Sequence, residues 1–235
     1  MRSLPARVHE EVRAHMVIIR RFRDEQAGMT LVEMLVAMSI LSIVLLVFTS
    51  VLSSVQAGVN RQDSLSQTLD QARLSIQELD RELRSGNVLY DPALENAPAG
   101  TPGAITSCSG CQPGYTLRVY TQTNADTRGT YECVLWKVSN EQIMVRYWPP
   151  LEPFNASGWR VVATGVVNQS LSPPVPAFSL DPDTLKGGRT LDVLYAMNSN
   201  LAKHATQTAK IQAALTGRNT SYGYPANVCQ VTPSG

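Results

Sequence analysis

The chain has 235 residues, 43% apolar and only 17% charged, with 20 basic and 19 acidic side chains for a net charge of +1. That apolar share can bury a core and excludes wholesale disorder, while near-neutrality excludes a chain-wide positive field that would gather nucleic acid. With three histidines, a His-rich metal site is excluded as well.

Residues 1–28 hold six arginines against four acids, a surplus of two positive charges. From Met34 to Asn60 no charged residue occurs, and Leu, Val, Ile, Met, Phe, Ala and Ser dominate. A helix over that stretch is roughly 39 Å long, against about 30 Å of bilayer hydrocarbon. This predicts a membrane-spanning helix. Its basic flank lies on the N-terminal side, so residues 1–28 are expected in the cytoplasm and the bulk of the chain outside it.

A secretory signal is one reading, with Arg20-Arg21 hinting at a twin-arginine signal and Val55-Gln56-Ala57 offering small residues for cleavage. Its apolar run, however, far exceeds the roughly 7–15 residues usual for such signals. An ordinary single-pass anchor is a second reading. Neither explains Glu33, an acid at the start of the apolar run.

The segment Gly28-Met29-Thr30-Leu31-Val32-Glu33-Met34-Leu35-Val36-Ala37 resembles the prepilin signal of type IV pilins and type II secretion pseudopilins. The resemblance implies cleavage between Gly28 and Met29 by a prepilin peptidase and N-methylation of Met29. It also makes Glu33 the acid at the fifth position of the mature chain. The partners it implies are other pilins or pseudopilins, an inner-membrane assembly platform and membrane lipid. A carboxylate in a bilayer-embedded helix is expensive unless paired. Cleavage would create an α-ammonium at Met29, one helical turn from Glu33, and a neighbouring subunit would bring another. Alternatively, Glu33 sits at the headgroup boundary and snorkels.

No proline lies between Met29 and Asp91, and Gly58 is the only glycine before Gly86. After Arg61, Leu65, Leu69, Ala72, Ile76, Leu79 and Leu83 recur at spacings of four and three, with polar residues such as Asp70, Arg73 and Gln77 between. Glu78 and Glu82, with Arg81, read as charge neighbours at helical spacing. A helix is expected over 29–86, transmembrane to about residue 55, then amphipathic, and stopped by Gly86-Asn87. Its stripe would suit a coiled coil or a sheet of its own domain; the β-rich sequence that follows favours the sheet. Many major pilins carry a proline in the apolar half, and this chain has none there.

Residues 87–114 read as loop, being rich in proline and glycine. Strands are expected at Tyr115–Gln122, Tyr131–Val138, Ile143–Trp148, Trp159–Val167, Thr190–Asn198 and Thr208–Leu215. Ser139-Asn140 forms a hairpin turn, and Ser172–Pro176 interrupts the series. Strands in succession without helices form an antiparallel sheet, so the fold class is α+β: a long helix packed on an antiparallel β-sheet domain, residues 87–235. The helix end Leu79-Asp80-Arg81-Glu82-Leu83-Arg84-Ser85-Gly86 and the late strand end Ala214-Leu215-Thr216-Gly217-Arg218-Asn219 resemble W-type minor pilins and J-type pseudopilins.

The four cysteines, Cys108, Cys111, Cys133 and Cys229, all fall in the exported part, where disulfides are expected. Three pairings exist. Loop-closure entropy favours Cys108–Cys111, leaving Cys133–Cys229 to tie the tail to a central strand. A zinc or redox use of Cys108-Ser109-Gly110-Cys111 lacks a second close pair and a surrounding βαβ pattern.

No catalytic constellation is expected. His204 stands in a polar run. Gly187-Gly188-Arg189 lacks the Lys-Ser/Thr of a phosphate loop, and Asp181, Asp183 and Asp192 lack a calcium-loop frame. Trp136, Tyr147, Trp148 and Trp159 alternate with Lys137, Arg146 and Arg160, which reads as two-faced strand sequence, and nucleic acid is not an expected partner. No cofactor or metal is expected. The sequence therefore reads as an assembly subunit of a pilus or pseudopilus, not an enzyme, in the inner membrane with its C-terminal domain outside. A membrane-held extracytoplasmic binding module or adhesin that does not polymerise is the second reading.

Overall fold

The structure, a computed structural model, describes residues 30–98, 101, 104–105, 110–122, 131–181, 189–198, 208–217, 227–230 and 233. The chain divides into two compact units, Met1–Gly58 and Val59–Gly235.

Helix α1 spans Leu31–Ser85, close to the expected 29–86. In the first unit every large apolar side chain from Leu31 to Val55 is exposed, between 45% at Leu52 and 79% at Leu31. This stretch is long and apolar enough to cross a membrane. The hydroxyls of Ser39, Ser42, Thr49, Ser50 and Ser53 donate to carbonyls three or four residues back. Each of these polar side chains is thus satisfied within the helix, as a lipid surround requires.

In the second unit α1 buries Thr68, Ala72, Ser75, Leu79, Glu82 and Leu83. The stripe covers sheet of its own domain, as favoured over a coiled coil. The expected stripe was wholly apolar, whereas the buried one includes Thr68, Ser75 and Glu82.

The β-strands form two antiparallel sheets where one was expected. The first runs in chain order: β1 Gly86–Leu89, β2 Thr116–Gln122, β3 Tyr131–Ser139, β4 Gln142–Trp148 and β5 Arg160–Thr164. The second contains β6 Phe178–Leu180, β7 Thr190–Met197 and β8 Ala209–Thr216. Prolines between β5 and β6 lack the N–H needed to extend a ladder, so the series breaks there. A narrow seam remains: Val166 bridges Met197, Val167 N–H donates to Ala196 O at 2.8 Å, and Asn198 N–H donates to Gly165 O at 2.8 Å. Gly165 makes this seam possible. Its φ is +77°, and a Cβ there would stand 2.6 Å from Thr68 Cγ2 and 3.0 Å from Asn198 O.

Strands β1 and β6 were not expected. Gly86 does end the helix, but the chain turns directly into a strand paired with β2, Val88 opposite Tyr120. Strand β6 has three residues, too few to show alternation. The β3–β4 turn is Asn140-Glu141, with φ of 52° and 58°, one residue later than expected. Two left-handed residues match the twist of the flanking strands.

The first sheet is buried on both faces. On one, Leu117, Val119, Val134, Trp136, Val138, Ile143 and Val145 pack with α1 and with Phe178, Val193 and Tyr195 of the second sheet. On the other, Tyr120, Cys133, Leu135 and Trp148 pack with Val88, Tyr90, Ile105, Cys111 and Cys229. Strict alternation along β3 assigns Val134 and Trp136 to one face and Cys133 and Leu135 to the other.

Candidate functional site

Helix α1 begins with a cap. Glu33 N–H donates to Thr30 O at 3.0 Å and to Thr30 Oγ1 at 3.3 Å. Thr30 is the N-cap and Glu33 the third helical residue, the Ser/Thr-x-x-Glu arrangement of a capping box. An acid in the first turn also faces the positive end of the helix dipole. Glu33 is exposed, available to a group from outside its own helix. Sequence reasoning missed the capping role of Thr30, although the Thr-x-x-Glu spacing signals it. Gly28 and Met29 lie outside the described residues.

Further along α1, Glu78 links the helix to the first sheet. Its Oε1 accepts from Arg160 Nη2 and from Tyr147 Oη, the latter at 3.1 Å. Burial and the nearby Glu82 and Glu78 carboxylates push the Tyr147 hydroxyl well above its ordinary pKa. Glu82, 6% exposed, has its carboxyl pushed up to about 7, first by burial and then by Glu78 and Glu132, with Arg81 and Arg160 opposing. Sequence spacing read Glu82 only as a charge neighbour of Glu78 and Arg81; the packing of the sheet over it is what buries it. Near the start of this half, Gln71 Oε1 accepts from Thr164 N–H at 3.1 Å, on the edge of a hollow lined by Ser64, Gln67, Thr68, Asn140 and Glu141.

A second constellation holds the C-terminal segment. Cys133 and Cys229 are joined, Cα to Cα 5.7 Å. Closing a loop of 96 residues contributes about 4–5 kcal/mol in the chain-entropy account. Cys111 is also disulfide-bonded, while Cys108 lies outside the described residues. Beside the disulfide, Arg118 Nη1 donates to the carbonyls of Cys229 and, at 2.8 Å, Gln230. Arg118 Nη2 donates to Glu95 Oε2 at 2.9 Å, and Cys229 N–H donates to Tyr90 Oη at 3.0 Å. Burial raises the Glu95 pKa and lowers that of Arg118, and their mutual attraction opposes both shifts. Sequence reasoning missed this clamp. A charged residue inside the apolar strand Thr116–Gln122 was the one available signal.

The aromatic and basic strip does not form a stacking platform. Trp136 is in the helix-facing core, Trp148 is on the opposite face, and Arg160 is taken by Glu78. His204, Asp183, Gly187 and Gly188 lie outside the described residues. Among the described residues, no group of three or more His, Cys, Asp or Glu gathers that could hold a metal.

Residues 23–49 match the family model for the prokaryotic N-terminal methylation motif. The match takes in Gly28, Met29, Glu33 and the first part of α1, and supports a type IV pilin-like or pseudopilin-like subunit held in a membrane by one helix. No curated protein and no solved structure matches the chain.

Proposed function

We propose that the chain is a minor pilin or pseudopilin: a structural subunit, not an enzyme, cut after Gly28 and packed by α1 into a type IV pilus or a secretion pseudopilus. The observation that carries this reading is α1 itself. It joins the methylation motif to a helix exposed on every side from Leu31 to Val55, with an acid at its head. So large an apolar surface must be covered. Lipid covers it before assembly, and the helices of other subunits cover it afterwards. Glu33 then has a partner of opposite sign in the α-ammonium of Met29, on its own or a neighbouring chain. The W-type and J-type resemblance rests on the short strings at the ends of α1 and β8.

Intact-mass measurement of the membrane fraction tests the processing step. A chain beginning at N-methylated Met29 has 235 − 28 = 207 residues. An uncut chain would favour a plain anchor, and a start at Gly58 a secretory signal. Co-purification with a sheared filament or with other pilins then separates an assembly subunit from a membrane-held adhesin that does not polymerise.

A further inference from the structure

Strands β3 and β4 carry two cations on the sheet face turned away from α1. Lys137 lies opposite Met144 and Arg146 opposite Leu135, so the two are diagonal neighbours. Both reach one ring: Lys137 Nζ is 4.4 Å and Arg146 Cζ 5.0 Å from the centroid of Trp159. Lys137 and Trp159 are half-buried, while Arg146 is only 7% exposed. Arg146 Nε, like Arg118 Nε, has no hydrogen-bond partner, and among the described residues no carboxylate pairs with Lys137 or Arg146. Burial lowers the pKa of both groups, and repulsion by Arg146 lowers that of Lys137 further. Arg118, on the same face, is by contrast neutralised by Glu95. The Gly110 backbone, at φ +71°, passes beside the ammonium: a Cβ there would lie 3.7 Å from Lys137 Nζ, in ordinary contact.

The Trp159 ring attracts both cations but leaves two positive charges uncompensated. A buried guanidinium with an unpaired donor is costly unless an acceptor arrives from outside the chain. We propose that Lys137, Arg146 and Trp159 form a binding site for a phosphate group, either the free ion or a phosphomonoester. Such a group carries roughly one and a half to two negative charges at neutral pH, closer to the charge of the two cations than a phosphodiester, which carries one. The ring is already engaged by both cations, which disfavours base stacking and hence single-stranded nucleic acid. The site lies on the face opposite α1 and stands or falls independently of the assembly role.

The test is calorimetric titration of the full processed chain, in nonionic detergent at constant ionic strength, with inorganic phosphate. Saturable binding at one site is expected, weakened about tenfold or more in Lys137→Gln through loss of one of two charge-assisted contacts. Arg146→Lys, which keeps the charge but loses the fork of donors, should also weaken binding; should this buried substitution prevent folding, Lys137→Gln at its half-exposed position still decides. Displacement by glycerol 3-phosphate supports a phosphomonoester, and its failure to displace supports the free ion. Three results would overturn the proposal: no saturable binding, equal binding by Lys137→Gln, or stronger displacement by a short single-stranded oligodeoxynucleotide than by glycerol 3-phosphate.

Discussion

Arg118 and Glu95 form an ion pair 2.9 Å long in which neither side chain is reached by solvent. Arg118 also donates to two carbonyls of the C-terminal segment, so the pair belongs to the clamp around Cys229. Removing one partner strands a buried charge, at a cost of about 3–5 kcal/mol. Glu95→Ala and Arg118→Met are both expected to lower the denaturation midpoint strongly. Replacing both with apolar residues should cost less than the two single losses combined, because no lone charge remains. A fully additive double variant would show that the pair is not the coupling element.

The disulfide and the clamp hold the same segment by different means. Reduction alone should leave the segment near Glu95 and Tyr90 but open it more often. Limited proteolysis of the reduced protein should therefore cut after Cys229 faster in Arg118→Met than in the unaltered chain. Equal rates would mean that the disulfide alone holds the tail.

Glu82 predicts a pH dependence of the sheet domain. Its carboxyl has an ordinary value of 4.5 and a folded value of about 7. Below 4.5 both folded and unfolded states are protonated, and the contribution of this group is at its most favourable. As pH rises towards 7 the unfolded state releases its proton while the folded state keeps it, so stability falls by about 3 kcal/mol across that window. Glu82→Gln, neutral throughout, should flatten this slope and stabilise the protein more at about pH 8 than at about pH 4. Chemical unfolding at the two pH values measures the difference, and an unchanged slope would assign the pH dependence to other groups.

At Gly165, alanine is expected to destabilise by about 1–3 kcal/mol, since its methyl meets Thr68 and its backbone is left-handed. Adding Thr68→Ser removes the clashing methyl but not the φ requirement. The pair should recover part of the loss in thermal melts. No recovery would mean that the backbone, not the contact, sets the cost.

Thr30 and Glu33 separate capping from assembly. Thr30→Ala should weaken the first helical turn by about 1 kcal/mol while leaving filament incorporation near normal. Glu33→Gln keeps a side chain suited to the capping box but loses the charge, and should be cut normally yet enter the filament poorly. If Glu33→Gln assembles as well as the unaltered chain, the acid serves the helix alone.

Local physics makes α1 legible in the sequence. An uninterrupted apolar run followed by a four-three stripe leaves one solution for the backbone, and helices satisfy their own hydrogen bonds. The larger strands are legible for a similar reason, because alternation along Tyr131–Ser139 already separates Val134 and Trp136 from Cys133 and Leu135. The basic-to-apolar boundary around Gly28, Met29 and Glu33 is likewise a property of neighbouring residues. The division into two sheets, the burial of Glu82 and the clamp of Arg118 on Glu95 and residues 229–230 are of another kind. They depend on groups 23 to 112 positions apart in the chain, or on which surface closes over a side chain, and sequence spacing carries no such distances. Tertiary packing alone decided that Arg118 is neutralised while Lys137 and Arg146 are not: Glu95 comes within 2.9 Å of Arg118, and no described carboxylate pairs with the other two.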